Sequence, residues 1–163
     1  MSSSAATDVS EIIEELSPEK ILIINIRDTE SPFHISCDCE ITVVHEGDIL
    51  AAIESAGTQD LAIIVNTLEN IEKKLGANIL ARLRDVYSKR LLTVVPVKTD
   101  ANQSKLKSTW HETDFIAYGM RQITTYSDGK HLYEYNILNY KSIPDWLNAK
   151  NWANPELWDK FRW

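Results

Sequence analysis

Six side chains able to do chemistry stand at the ends of apolar runs. Arg27 and Asp28 follow ILIINI, His45 and Glu46 follow EITVV, and Asn66 and Glu69 close DLAIIVNTLE. An imidazole held beside a carboxylate, as His45 beside Glu46, can take a proton near neutral pH. An amide and a carboxylate, as Asn66 and Glu69, can orient a polar substrate. The same residue types occur at the strand ends of any α/β domain, so two readings stand side by side: a reactive or binding rim, and ordinary solvated strand ends.

A second group invites a metal. His34, Cys37, Cys39 and His45 are imidazoles and thiols of the kind zinc accepts, but H-x2-C-x-C-x5-H is not a standard zinc spacing. If residues 40–45 form a strand, His45 lies about 20 Å beyond Cys39, and one ion cannot reach all four. No metal is therefore expected. Cys37 and Cys39 are one residue apart, too close for an ordinary structural disulfide, and are read as packed or half-exposed free thiols. With no secretory pattern in MSSSAATDVSEIIEEL, they point to a reducing cytoplasm. The chain has no G-x-S-x-G elbow, no H-E-x-x-H and no phosphate loop. Gly76 reads as a small residue tolerated in a helix, and His111 with Glu112 as a helix start.

The elements that must position these residues follow from hydrophobic period. Ile21–Ile26 is a continuous β-rich run, as expected of a strand covered on both faces. Glu40–His45, Asp60–Leu68 and Arg90–Val97 read as further strands. Asp8 is the expected cap of a short helix carrying Ile12, Ile13 and Leu16, and Asp48 caps ILAAIESAG, which Gly57 ends. Ile71–Lys89 is the clearest helix, with Leu75, Ile79, Leu80, Leu83 and Val86 at helical spacing. A helix at His111–Tyr118, closed by Gly119, precedes two strands, Arg121–Tyr126 and His131–Leu138, joined through Ser127-Asp128-Gly129-Lys130. Strand–helix alternation ending in a hairpin predicts a Rossmann-like α/β domain: a mostly parallel sheet with right-handed crossovers and an antiparallel end. The stretch between the first two strands, residues 27–39, is short for a loop plus a full helix, since even a minimal parallel crossover takes about a dozen residues. The first crossover helix is therefore expected to be short or missing.

The segment Asp60 to Pro96 resembles the second half of a class I S-adenosylmethionine-dependent methyltransferase. Asn66 and Leu68-Glu69-Asn70-Ile71 fall where that superfamily has a polar strand end and an E-H-L-like turn. The run TDFIAYGMRQITTY and the closing hairpin resemble its later elements, so the likeness spans Lys20 to Leu138. Strand carboxyl ends converge on the ligand crevice of an open sheet, so any site is expected from Arg27, Asp28, His45, Glu46, Asn66 and Glu69. The resemblance puts Glu46 in the place of the acid that binds the cofactor ribose. The superfamily's glycine-rich turn after the first strand is absent. Arg27-Asp28-Thr29-Glu30-Ser31-Pro32-Phe33 stands there, and the first glycine of the chain is Gly47. Glycines let the backbone approach a cofactor without Cβ clashes, and proline removes a donor. The expectation is a diverged methyltransferase-like fold with no cofactor, acting through protein contacts. The alternative is an active methyltransferase that binds S-adenosylmethionine through an atypical loop. The whole chain also resembles a small uncharacterised family of bacterial proteins, which brings no function with it.

Composition narrows the partners. The 163 residues suit one domain, divided into an N-terminal extension and helix (1–19), a core (20–138) and a tail (139–163). A net charge of −7 gives no general attraction to nucleic acid or anionic lipid, and no run is long enough to span a membrane. The tail YKSIPDWLNAKNWANPELWDKFRW is nearly neutral and rich in aromatics. Base stacking needs a basic groove as well as aromatics. Trp152, Trp158, Phe161 and Trp163 are therefore read as covering the body or, failing that, as the surface for a protein partner or a second copy.

Overall fold

The computed structural model describes residues 4–28, 32–97 and 106–140. The first apolar run forms β1 (Lys20–Ile24), and its side chains alternate between two cores: Leu22 and Ile24 enter one, Ile21 and Ile23 the other. That double burial explains a run of aliphatics where a half-exposed strand would alternate with polar residues. β2 (Glu40–Val44), β3 (Gln59–Val65) and β4 (Ser88–Pro96) lie parallel to β1 or its neighbours. β6 (Lys130–Asn136) runs antiparallel to β4, and β5 (Arg121–Thr125) antiparallel to β6, giving a sheet of order β2-β1-β3-β4-β6-β5. This is a methyltransferase-like Rossmann arrangement, mostly parallel and closed by an antiparallel pair.

Helices cover one face: α2 (Ile49–Ala56), α3 (Lys73–Arg82) with its π-helical continuation Leu83–Tyr87, and α4 (Glu112–Ala117). Their side chains join Leu22, Ile24, Ala62, Ile64, Leu91 and Val95 in the larger core. The other face is covered differently. α1 (Ala5–Leu16) packs Val9 and Ile13 there, beside an extended strap, residues 33–39, that carries Phe33, Ile35, Cys37 and Cys39. No helix lies between β1 and β2 among the described residues. The strap does its work, because an extended segment spans the distance between parallel strands in fewer residues than a helix.

Several boundaries depart from the sequence expectation. Asp8 lies in the first turn of α1, not at its cap; the Ser4 hydroxyl accepts from the Thr7 N–H instead. Asp48 does cap α2, accepting from Leu50 and Ala51 at 3.0 and 3.2 Å. β3 stops at Val65 because Asn66 takes a positive φ of 49°, which no strand accommodates. Val86 is 60% exposed, since the π-helical turn rotates it off the buried face. β6 ends at Asn136, and Ile137–Tyr140 forms a short helix, α5. Cys37 and Cys39 are joined as a disulfide and not free, because the strap bends at Cys37 and brings their Cα atoms to 5.5 Å. The tail beyond Tyr140, with Trp152, Trp158, Phe161 and Trp163, lies outside the described residues.

Candidate functional site at the carboxyl ends of the strands

In an open parallel sheet the connections leave a crevice where strand order reverses. Here the chain passes from β1 to β2 on one side and returns with β3 on the other, so the crevice opens between the carboxyl ends of β1 and β3. Two segments form its walls. After β1 come Asn25, Ile26, Arg27 and Asp28; after β3 come Asn66 and Thr67, then a 3-10 turn, Leu68–Asn70.

The β3 wall is held firmly. The buried Thr67 hydroxyl reaches the carbonyls of Val65 and Ile24 at 2.8 and 3.1 Å, tying the two strand ends together. The Leu68 carbonyl accepts from the Ser108 hydroxyl at 2.6 Å and the Trp110 indole N–H at 3.0 Å. The Lys107 N–H donates to the Glu69 carbonyl at 2.9 Å. Trp110 is 1% exposed and lies against Gly76 of α3, where a Cβ would come within 2.7 Å of its ring. Gly76 is therefore a close-approach glycine, which corrects its reading as merely tolerated.

These bonds turn the Glu69 side chain inward, and the residue is 5% exposed. Burial raises its carboxyl above the ordinary glutamate range, against the opposing pull of the Arg27 and Lys130 charges. Across the crevice, the Arg27 guanidinium donates to the Asn70 Oδ1 at 3.2 Å, while its own backbone N–H donates to the Asn25 Oδ1 at 3.3 Å. The space between β1 and β3 is thus bridged by a side chain of the glycine-free loop that follows β1.

The six residues singled out by sequence do not form one cluster. Arg27 reaches Asn70, the neighbour of Glu69, and Asn66 supplies the carbonyl that accepts from the Asn70 amide at 3.0 Å. Asp28 is exposed. His45 and Glu46 pair with each other at 3.2 Å, but they follow β2, on the far side of β1 from Glu69. Sequence reasoning missed Asn25, Asn70 and Trp110. Asn25 had a signal, being the one polar residue inside ILIINI; Trp110, alone in a polar stretch, had none. Three polar atoms at this end of the sheet are buried without a partner among the described residues: Asn25 Nδ2, His45 Nδ1 and Glu69 Oε2. Among the described residues no group of three or more His, Cys, Asp or Glu side chains is placed to hold a metal ion, and no helix is long and apolar enough to cross a membrane. A hollow of about 420 Å³ lies at the opposite edge, at the amino ends of β1, β3 and β4, where its Asp60–Lys89 pair also ties strand starts together.

A family model matches residues 3–163 and settles the affiliation. The chain belongs to DUF6231, a family of unknown function. No curated protein matches it. Among solved structures, this DUF6231 chain is similar to magnesium protoporphyrin IX methyltransferase from Synechocystis PCC 6803 with bound SAH: TM-score 0.53, 10% identity, 79% of this chain and 80% of that one. It is also similar to the methyltransferase domain of bacterial CtHen1 (TM-score 0.52, 9% identity, 81% and 97% covered). TehB from Haemophilus influenzae gives TM-score 0.51 at 13% identity, over 78% and 59% of the two chains. At such identities these neighbours show the fold of the DUF6231 chain, and the chemistry must be argued from its own residues.

Proposed function

We propose that this protein is a diverged methyltransferase-like domain that does not use S-adenosylmethionine and acts through protein contacts. The observation that carries this reading is the Arg27–Asn70 contact across the switch-point crevice. A nucleoside cofactor there would have to displace the arginine, and two described positions of the loop have no free backbone donor to offer it. The Arg27 N–H is already turned to the Asn25 side chain, and Pro32 has none to give. Support for protein contacts comes from the two sheet edges. β2 and β5 are edge strands, and each presents an exposed isoleucine, Ile41 and Ile123, both 41% exposed. Unpaired strand edges with apolar side chains are ready templates for association. Trp152, Trp158, Phe161 and Trp163 of the tail are proposed as a further apolar surface, covering the body in the isolated protein.

Asn25 Nδ2, His45 Nδ1 and Glu69 Oε2, unpartnered among the described residues, favour a second reading. In it the crevice opens to an active methyltransferase site, with S-adenosylmethionine supplying partners for these atoms. Titration calorimetry with S-adenosylmethionine and S-adenosylhomocysteine separates the two. The first reading expects no heat of binding at millimolar cofactor; one-to-one binding in the micromolar range overturns it and establishes the second.

A further inference from the structure

We propose that Cys37 and Cys39 form a reversible thiol–disulfide site that clamps the strap standing in for the first crossover helix. Residues 33–39 alternate strictly: Phe33, Ile35, Cys37 and Cys39 face the second core, whereas His34, Ser36 and Asp38 are exposed. A period of two puts residues i and i+2 on one face, and the bend at Cys37 closes the gap between the two sulfurs. Both cysteines are only half-buried, so a small reagent can reach them.

The surroundings accommodate both oxidation states. Cys39 Sγ lies 3.6 Å from the Cys37 carbonyl oxygen, an acceptor for the thiol once the bond opens. The strap is anchored independently of the bond. Phe33 is 7% exposed at one end, and at the other the Glu40 N–H donates to the Glu19 carbonyl at 2.8 Å. Between them the Ser36 hydroxyl donates to Glu14 of α1 at 3.0 Å. Closing so short a loop removes less chain entropy than closing a long one, so the fold does not depend on the link. The bond instead sets how freely the middle of the strap moves.

The exchange balances with a small disulfide as oxidant. The Cys37 thiolate attacks one sulfur of R–S–S–R, forming a mixed disulfide and expelling the first RS⁻. The Cys39 thiolate then attacks the Cys37 sulfur, closing the protein disulfide and expelling the second. Two cysteine thiols are oxidised, one small disulfide is reduced to two thiols, and the two cysteine protons pass to the departing thiolates. The acidic neighbours Asp38 and Glu40 repel an anionic reagent, which makes neutral 2-hydroxyethyl disulfide the suitable probe.

The test equilibrates the full chain in mixtures of 2-hydroxyethyl disulfide and 2-mercaptoethanol, followed by acid quench, alkylation and intact mass. The expected result is loss of two hydrogen masses per chain, with both alkylation sites protected and both restored by excess 2-mercaptoethanol. Hydrogen exchange across residues 33–39 should slow on oxidation and stay unchanged in β3 and β4. The Cys39→Ser variant should stop at a mixed disulfide on Cys37. Thiols that stay alkylatable in the oxidising mixture overturn the proposal. So do wild-type chains that stop at mixed disulfides, cross-links between chains, or a link that excess thiol does not reopen.

Discussion

Glu69 is where residue type and residue environment part company. Its place at a strand end suggested a solvated acid, yet the turn around it is pinned by Ser108, Trp110 and Lys107, and the carboxyl is buried. Because burial raises its folded-state pKa above the ordinary value near 4.5, the folded protein holds this proton more tightly than the unfolded chain. The contribution to stability is then fully present below the ordinary glutamate range and is lost as pH rises through the raised folded value. Glu69→Gln removes that loss. Thermal melts from pH 4 to 8 should show the wild type falling relative to the variant as pH rises. A constant difference across the range would show that Glu69 does not titrate in this window. The burial was not legible in LENI itself, because the groups that enforce it lie some forty positions further along the chain.

Among the elements, α3 shows how one position decides a docking distance. Gly76 costs the helix about 1 kcal/mol in propensity relative to alanine, which a surface helix would recover by substitution. At this site the added Cβ would sit 2.7 Å from Trp110 Cζ2 and 3.3 Å from Leu68 Cδ2. Trp110 cannot yield freely, since its indole N–H is held by the Leu68 carbonyl and the Ser108 hydroxyl, each at 3.0 Å. Overpacking of this kind costs about 1–3 kcal/mol, so Gly76→Ala should be net destabilising by up to about 2 kcal/mol in urea unfolding. A stabilised variant would mean that the ring has room to shift. The strap makes the complementary point for the opposite face. Its length announced a missing helix, and FHISCDC already carries the alternation of an extended segment. The bend that joins the sulfurs depends on what both ends are tied to.

For the molecule as a whole, the sheet leaves β2 and β5 as edges with exposed isoleucines, and the aromatic tail is proposed to cover apolar surface. Removing Asn151–Trp163 should lower the melting temperature and promote association, read by thermal unfolding and light scattering. Each tryptophan buried by the tail would otherwise cover roughly 150–250 Å². A truncated chain that remains monomeric, soluble and equally stable contradicts that role.

Strand existence, strand direction and the closing hairpin could be read from residues alone. A run of aliphatics buried on both faces, a capping Asp48 and a Ser-Asp-Gly-Lys turn are local signals, and local sterics and solvation enforce them. Polar groups are also expected where each buried strand emerges, because a chain leaving the core meets water. Which of those residues meet was settled only when the chain folded. Arg27 reaches Asn70 because strand order reverses between β1 and β3, and Glu69 is sealed because Trp110 returns from far along the chain. RDTESPF lacks the glycines of a cofactor loop by its composition. That its arginine spans the crevice is a consequence of long-range packing, which no short stretch of sequence encodes.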